Sequence, residues 1–492
     1  MDIVAHMTRH GPMRGRGCDA GRIRWFVVAV ALVVLLAGGG FAAYALGGFD
    51  RWLDDSDESA LDIEPPEALD FPAARAAQPV LDAAQPAPLA RSKVEQAVRA
   101  VRKERTFGKH TGIAVAPLRN GPAVTFGSGT YIPASTLKNF TSIAALASIG
   151  ADERFTTSVV RTDNSSGKTA SLTLVGGGDP LLATKASRDD DTYPEPATLT
   201  DLADQTAKAL KQQGISRVRL RFDDSLFKGP DVNPRWETSY ISTDVMTPVS
   251  ALWVDQGVDP KSGQRTTEPA EQAAATFAKL LSARGVNVAG GTGRATAPQN
   301  SATVASVESP PLGQIVQHLV EISDNQAAEV VLRHLAISEG QPASFQGGAT
   351  AMRSVLTGLG VPWQQMKVYD GSGLSRDNRV TLRAEVAVLR LAATSDNPDL
   401  HQVAEGMPVA GFSGSLADRF TSSSSVAGLG LARAKTGTLT GIHAYAGYTT
   451  DARGTPLVFV AIANKVKDKF VLEARAGLDD IAAALSDCAC SR

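Results

Sequence analysis

The 492-residue chain is poor in cysteine and has no excess of either charge. Its cysteines are Cys18, Cys488 and Cys490, too few for a disulfide scaffold or a structural zinc site of four thiolates. The seven histidines form no His-Glu-x-x-His pair, so the sequence predicts neither a metal site nor a cofactor. With 49 Lys and Arg against 51 Asp and Glu, the net charge of −2 argues against a nucleic-acid partner.

Glycine and proline are also too few for a collagen-like or wholly disordered chain, since 45 Gly and 26 Pro accompany 43% hydrophobic residues. The length suffices for roughly three domains. Cys488 and Cys490 stand in the last five residues, where they could pair or stay free at a frayed end, although so close a spacing disfavours a strain-free bridge. The composition therefore predicts a folded chain with a sizeable core.

One long run lacks charge altogether. The 25 residues from Trp25 to Phe49 would form a helix longer than the ~30 Å hydrocarbon core of a bilayer. Arginines precede the run and acidic residues follow it, so the positive-inside rule predicts a cytoplasmic segment 1–24 and an extracytoplasmic remainder. The length favours a retained membrane anchor over 25–49, but Ala43-Tyr44-Ala45 also fits a cleavage site, which would make the protein secreted. Residues 50–90, acidic and then rich in Pro and Ala, are typical of an extended tether.

The remaining residues predict an α+β fold. A helical pattern from Arg91 leads into two strands around a turn at 119–122, and a second hairpin brackets 451–456 near the chain's end. A helical pattern over 471–485 follows it. Strands at both ends, with helices between them, predict one sheet that draws on both termini.

Ser135 and Lys138 are the first residues that indicate chemistry. Pro133 closes a strand, and apolar residues then recur with helical period, so both side chains lie on one face near a helix N-terminus. A serine hydroxyl needs an adjacent base to become a nucleophile, and the helix N-terminus offers N–H groups to an oxyanion. Ser165/Lys168 and Ser225/Lys228 share this spacing but lie in polar or turn-rich stretches. Alone, Ser135 would be an ordinary helix-capping serine.

Two further motifs follow in order: Ser323-Asp324-Asn325 before a helical segment, and Lys435-Thr436-Gly437-Thr438 before the last hairpin. Copies of these motifs exist at Ser395-Asp396-Asn397, which precedes a proline, and at Lys261-Ser262-Gly263, which lies in a loop. Ser-x-x-Lys, Ser-Asp-Asn and Lys-Thr-Gly in this order are the motif set of penicillin-recognising serine acyltransferases.

With these motifs the sequence resembles the class C low-molecular-mass penicillin-binding proteins, the D-alanyl-D-alanine carboxypeptidases and endopeptidases of penicillin-binding protein 4 type. Ser135 and Ser323 are 188 positions apart, a gap between the first two motifs that a β-lactamase-like domain has no room for. Stretches at 174–181, 236–252 and 369–376 are also similar to the family, and the similarity runs from about Thr106 to Ala484. It implies a β-lactamase/transpeptidase-like catalytic domain over 91–155 and 300–492, an antiparallel sheet with helices, interrupted by accessory residues 156–299.

The resemblance also implies roles for the matching residues. Ser135 would attack a D-Ala-D-Ala peptide bond, Lys138 would accept its proton, and Ser323 would relay the proton to the leaving amine. The partners implied are peptidoglycan stem peptides that end in D-Ala-D-Ala, and β-lactam antibiotics, which would acylate Ser135. The implied substrate-binding residues are Asn325, Lys435, Thr436, Gly437 and Thr438, with the backbone N–H groups of Ser135 and Thr438 as the oxyanion hole.

Two alternatives remain open at this stage. A β-lactamase would use the same serine, but the deacylation motif of class A enzymes, Glu-x-x-Leu-Asn, is matched only by Glu329-Val-Val-Leu-Arg333 inside a probable helix. A catalytically silent scaffold that binds the cell wall would keep the fold without acylation. The three complete motifs argue against the scaffold.

Overall fold

Helices and strands alternate along the residues that the computed structural model describes, 88–103, 105–162, 168–187 and 192–492. The predictions for 1–24, 25–49 and nearly all of 50–90 concern residues outside these ranges. The helices are α1 Arg91–Lys103, α2 Leu137–Ile149, α3 Leu199–Gln212, α4 Ser239–Ser242, α5 Pro269–Ala283, α6 Leu312–Glu321, α7 Asn325–Ser338, α8 Phe345–Gly358, α9 Leu382–Thr394, α10 Gln402–Glu405 and α11 Val471–Ser486. The strands are β1 His110–Pro117, β2 Val124–Phe126, β3 Thr156–Arg161, β4 Thr169–Val175, β5 Arg217–Asp223, β6 Asn287–Val288, β7 Gly293–Arg294, β8 Ala302–Glu308, β9 Arg433–Leu439, β10 Ile442–Thr450 and β11 Pro456–Asn464.

The first sheet joins the two ends of the described chain. Its order is β2-β1-β11-β10-β9, and every pairing is antiparallel. β1 pairs with β11 from His110 opposite Asn464 to Pro117 opposite Leu457, so the prediction of a sheet built from both termini is confirmed. β9 is an edge strand of this sheet. Val409 forms a bridge with Arg433 at its start, and no strand of the described residues pairs with the outer edge beyond that point.

The burial of β11 shows how the sheet is covered. Successive side chains of a strand point to opposite faces, and almost every residue of β11 is buried, so both faces must be covered. Val458, Val460 and Ile462 pack in the core that contains helix α2, whereas Leu457 and Phe459 pack in the core that contains α11. The result is a helix–sheet–helix sandwich, and the predicted α+β fold is confirmed.

A second sheet occupies the middle of the chain. Its order is β6-β5-β4-β3-β8, with β7 beside β5. β4, β5 and β6 run parallel because α3 and α5 carry the chain back between them, and β3 is antiparallel to both of its neighbours. The sheet has its own apolar core with these two helices. The domain boundaries stay a prediction.

The C-terminus is anchored, contrary to the frayed end that was considered. Cys488 and Cys490 are joined by a disulfide, and Ser491 forms a bridge with Leu89. The Asp451 carboxylate accepts hydrogen bonds from the backbone N–H groups of Arg453, Thr455 and Ser491. The bond from Ser491, together with bonds from Ala90 N–H to the Cys490 carbonyl and from Arg492 N–H to the Pro88 carbonyl, satisfies the backbone of the last residues, so the end packs rather than frays. Within the described part of the chain, no helix is long and apolar enough to cross a membrane.

Candidate active site

Ser135 lies in a tight turn immediately before α2. Residues Ala134–Thr136 form one turn of 3-10 helix, and Ala134 adopts a positive φ of 49°. The Ser135 side chain is half-buried, whereas its neighbours Ala134 and Thr136 are fully buried. The turn therefore presents one hydroxyl to the surface of an otherwise closed core, close to the helix start that the sequence predicts.

Lys138 is buried one helical turn after Ser135. Its ammonium donates to Ser135 Oγ at 3.0 Å, to Asn325 Oδ1 at 2.7 Å and to the Ser372 carbonyl at 2.8 Å, which uses all three of its hydrogens. Burial lowers the pKa of Lys138 to about 8, against the charges of Glu329, Asp324 and Asp370, which raise it. A lysine with this pKa is neutral in part near neutral pH, and the neutral amine can take the proton of Ser135.

The junction between α6 and α7 brings the second motif to the same place. Asp324 caps α7 by accepting from the Ala327 N–H at 3.0 Å, so Asn325 begins the helix with its amide oxygen on Lys138. Ser323 precedes the cap with a φ of 65° and a half-buried side chain. Its hydroxyl is not among the three groups that Lys138 binds.

Strand β9 supplies the third motif. Lys435 is fully buried and donates to the Thr436 carbonyl at 3.0 Å, and burial together with the charge of Lys138 lowers the pKa of Lys435 well below its ordinary value. The Thr436 hydroxyl lies 2.9 Å from the Ser415 hydroxyl. The side chain of Thr438 is exposed at the edge of the sheet. The effect of the Lys138 charge on Lys435 agrees with the close contact between β9 and the Ser135 turn.

Gly437 explains how β9 can approach the Ser135 turn. A Cβ at this position would lie 2.7 Å from the Pro133 carbonyl oxygen and 3.3 Å from the Ala134 side chain. Real side chains do not tolerate the first distance, so the glycine is required for the contact. The sequence motif Lys-Thr-Gly thus has a packing reason beside its chemical one.

The sequence singled out Glu329 and the stretch 369–376 but did not reveal that they contact each other and hold the site from behind. The Glu329 carboxylate accepts from the backbone N–H groups of Gly371 and Ser372 at 2.8 to 3.0 Å, and this fixes the loop whose carbonyl binds Lys138. Burial and the nearby Asp370 raise the pKa of Glu329. The available signal was an acidic residue inside the apolar helical stretch of α7, which is rarely buried without a partner.

The competing motif copies lie elsewhere or outside the described residues. Ser165 lies outside them, and Lys228 donates to its own loop at the Ser225 carbonyl. Asn397 caps a short helical turn by accepting from Asp399 N–H, and Ser262 sits in an exposed turn closed by Asp259. These contacts are ordinary turn and capping chemistry.

The assembled geometry defines a class of enzyme. A half-buried serine at a helix N-terminus, an adjacent lysine of lowered pKa and an edge strand beside them are suited to serine acyl transfer. Comparison with known proteins gives the family. The model of the D-Ala-D-Ala carboxypeptidase 3 (S13) family matches residues 94–265 and 259–485, and the chain belongs to this family.

Relatives and a solved structure agree with this assignment. Carboxypeptidase DacB of Mycolicibacterium smegmatis is 34% identical over 362 residues, which cover 73% of this chain and 76% of the relative. A carboxypeptidase of Mycobacterium tuberculosis is 33% identical over 364 residues, with the same coverage. The crystal structure of penicillin binding protein 4 from Haemophilus influenzae has the same fold, with a TM-score of 0.66, 24% identity, and coverage of 80% of this chain and 98% of that one.

The chain is therefore a serine-type D-alanyl-D-alanine carboxypeptidase that acts on peptidoglycan outside the cytoplasm. The resemblance and the activity inferred from the sequence are confirmed. The β-lactamase alternative loses its one sequence match, because Glu329 is fully buried and its carboxylate holds the backbone N–H groups of Gly371 and Ser372 instead of facing the site.

Proposed function

We propose that Ser135 is the acylated nucleophile and that Lys138 is its general base. The supporting observation is the buried ammonium of Lys138, 3.0 Å from Ser135 Oγ and 2.7 Å from Asn325 Oδ1. In the reactive form Lys138 is neutral, so the hydrogen bond reverses and the Ser135 hydroxyl donates to Nζ. Ser135 Oγ attacks the carbonyl carbon of the penultimate D-Ala, and Lys138 takes the proton.

Substrate binding follows from the edge position of β9. The stem peptide adds to β9 as a further strand, with the Asn325 amide on a substrate amide. Lys435 and Thr436 bind the terminal carboxylate, and Gly437 leaves room for the Ser135 turn. The N–H groups of Ser135 and Thr438 stabilise the oxyanion, and Ser323 carries the proton to the leaving amine. Water then hydrolyses the acyl-enzyme, and bonds in cross-linked peptides are cleaved in the same way.

A β-lactam is proposed to acylate Ser135 because its strained amide occupies the place of the D-Ala-D-Ala bond. The Haemophilus influenzae protein of the same fold has also been solved in complex with a β-lactam. A further proposal is that residues 156–299 form an accessory region within the catalytic domain, and that residues 25–49 anchor the enzyme to the membrane.

The test is mass spectrometry of the full chain after incubation with benzylpenicillin, followed by peptide mapping. We expect one adduct on Ser135, and no adduct in Ser135→Ala. Ser225→Ala is the matched control, because Ser225 has the same spacing to a lysine and should label like the wild type. An adduct that persists in Ser135→Ala would disprove the assignment, and rapid loss of the adduct with hydrolysed drug would indicate a β-lactamase.

A further inference from the structure

Glu385 is a buried acid directly behind the Ser135 turn. It lies in α9 with no exposed surface, and its Oε1 is 2.6 Å from Oγ1 of Thr136, the residue after Ser135. Its other carboxyl oxygen has no hydrogen-bond partner among the described residues. A fully ionised carboxylate with a single hydrogen bond would be costly to bury, so the protonation of this group needs an explanation.

The number of hydrogens available around Thr136 explains why Glu385 is protonated. Thr136 Oγ1 lies 2.6 Å from Glu385 Oε1 and 3.1 Å from the carbonyl oxygen of Pro133. The hydroxyl has one hydrogen, and the Pro133 carbonyl can only accept. Both hydrogen bonds form together only if Glu385 carries a proton and donates to Thr136, while Thr136 donates to Pro133. Burial raises the pKa of Glu385 to about 8, against the opposing hydrogen bond of Thr136, in agreement with this count.

The hydrogen-bonded chain from Glu385 through Thr136 ends at the Pro133 carbonyl oxygen, which lies between the Ser135 turn and β9. The Pro133 carbonyl also receives the Thr136 backbone N–H, at 3.4 Å, and Gly437 of β9 packs against it. We propose that Glu385 is a positioning residue, which donates a hydrogen bond to Thr136 and thereby fixes the turn that presents Ser135. This role rests on the proposed function of Ser135 as the nucleophile.

The test compares Glu385→Leu with Glu385→Gln in the full chain. Leucine cannot donate, and a misplaced nucleophile costs about 10- to 100-fold in rate, so we expect a loss of that size in the benzylpenicillin acylation rate constant. Glutamine donates through its amide nitrogen and should stay within about 3-fold of the wild type. Leu389→Ala is the matched control: it removes buried volume one turn further along α9 and should lower the melting temperature without slowing acylation.

Two further measurements address the hydrogen bond itself. Thr136→Val should slow acylation like Glu385→Leu, and the two losses should not add in the double variant, because each breaks the same hydrogen-bonded chain. Infrared difference spectra between wild type and Glu385→Gln at neutral pH should show the carbonyl stretch of a protonated carboxyl group in the wild type alone. The absence of that band would overturn the donor assignment.

The outcomes also separate this role from the proposed function. A wild type that labels on Ser135 while Glu385→Leu labels at the same rate would overturn the positioning role alone. An equal loss of acylation rate in Glu385→Gln and Glu385→Leu would show that a hydrogen-bond donor at this position does not matter, and would overturn the donor role. A wild type that never labels would overturn the proposed function, and the role of Glu385 with it.

Discussion

At the scale of single residues, the catalytic role of Lys138 and its electrostatic surroundings favour opposite protonation states. It must be neutral to accept a proton, yet its surroundings include three carboxylates that favour the ammonium. Burial is the larger effect and decides the outcome, since the resulting pKa of about 8 lies below the ordinary value of lysine. The three groups around Nζ keep the side chain in place in either protonation state, because the neutral amine donates to Asn325 and Ser372 and accepts from the Ser135 hydroxyl.

The pKa of Lys138 gives a pH dependence with a definite sign. Below about pH 8 most Lys138 is protonated and cannot act as the base, so acylation should accelerate as pH rises and level off above that value. The measurement is the second-order rate constant for β-lactam acylation between pH 6 and pH 9.5. A rate that is flat or falls over this range would contradict the assignment of Lys138 as the base.

Lys138→Met tests the same residue by substitution. Methionine fills similar space but accepts no proton, and general-base catalysis is worth about 10²- to 10⁴-fold, so acylation should slow by that factor. The fold should persist at reduced stability: the desolvation cost of the ammonium disappears, but Asn325 Oδ1 and the Ser372 carbonyl lose their donor. Stopped-flow acylation and circular dichroism of the variant check the two statements. Loss of the folded signal together with the rate would leave the pH dependence of the wild-type acylation rate to decide.

At the scale of elements, the contact between β9 and the Ser135 turn governs the site. Gly437→Ala would put a methyl group 2.7 Å from the Pro133 oxygen, so β9 must move away from Ser135. We expect a fall in the acylation rate of about 10²-fold, with a smaller effect on the melting temperature. Gly358→Ala is the matched control, since nothing lies within 4 Å of a Cβ there. Equal rates for both variants would show that the close approach is not needed.

The sequence predicts most elements of the first sheet but not their arrangement behind the site. The hairpin patterns around 119–122 and 451–456 correspond to β1, β2, β10 and β11, because alternation and turn residues are local signals. The contacts of Glu329 with Gly371, and of Glu385 with Thr136, join residues 42 and 249 positions apart. Such contacts depend on tertiary packing, and no local pattern specifies them.

The candidate site shows the same division. The motifs identify Ser135, Lys138 and Asn325, and the structure joins all three through one ammonium group. The Ser372 carbonyl is invisible to a motif search, because any residue has a carbonyl and only the path of the loop brings this one to Lys138. The roles of Ser323 and Thr438 stay predictions.

At the scale of the whole molecule, Asp451 ties the last hairpin to both ends of the described chain. It binds the backbone of Ser491, and Ser491 forms a bridge with Leu89 just before α1. Burial alone would raise the pKa of Asp451, but hydrogen bonds from Ser491, Thr455 and Arg453 outweigh it and hold the pKa below its usual value. The ionised carboxylate therefore stabilises the folded state.

Asp451→Asn should lower the free energy of unfolding by about 1 to 3 kcal/mol at pH 7, because an amide oxygen replaces a carboxylate that binds three N–H groups. A carboxyl group of lowered pKa stabilises above its unfolded value, about 3.9, and this contribution disappears as pH falls through the folded value. Urea unfolding should thus show a gap between wild type and variant that is full at pH 7 and shrinks below about pH 4. Asp152→Asn, at an exposed position, should stay within about 0.5 kcal/mol of the wild type at both pH values.

The acylation rate of Asp451→Asn should not change. Asp451 lies five residues, on the order of 16 Å, beyond Ala446, the strand partner of Lys435. A gap that is independent of pH would mean that Asp451 acts through packing and not through its charge.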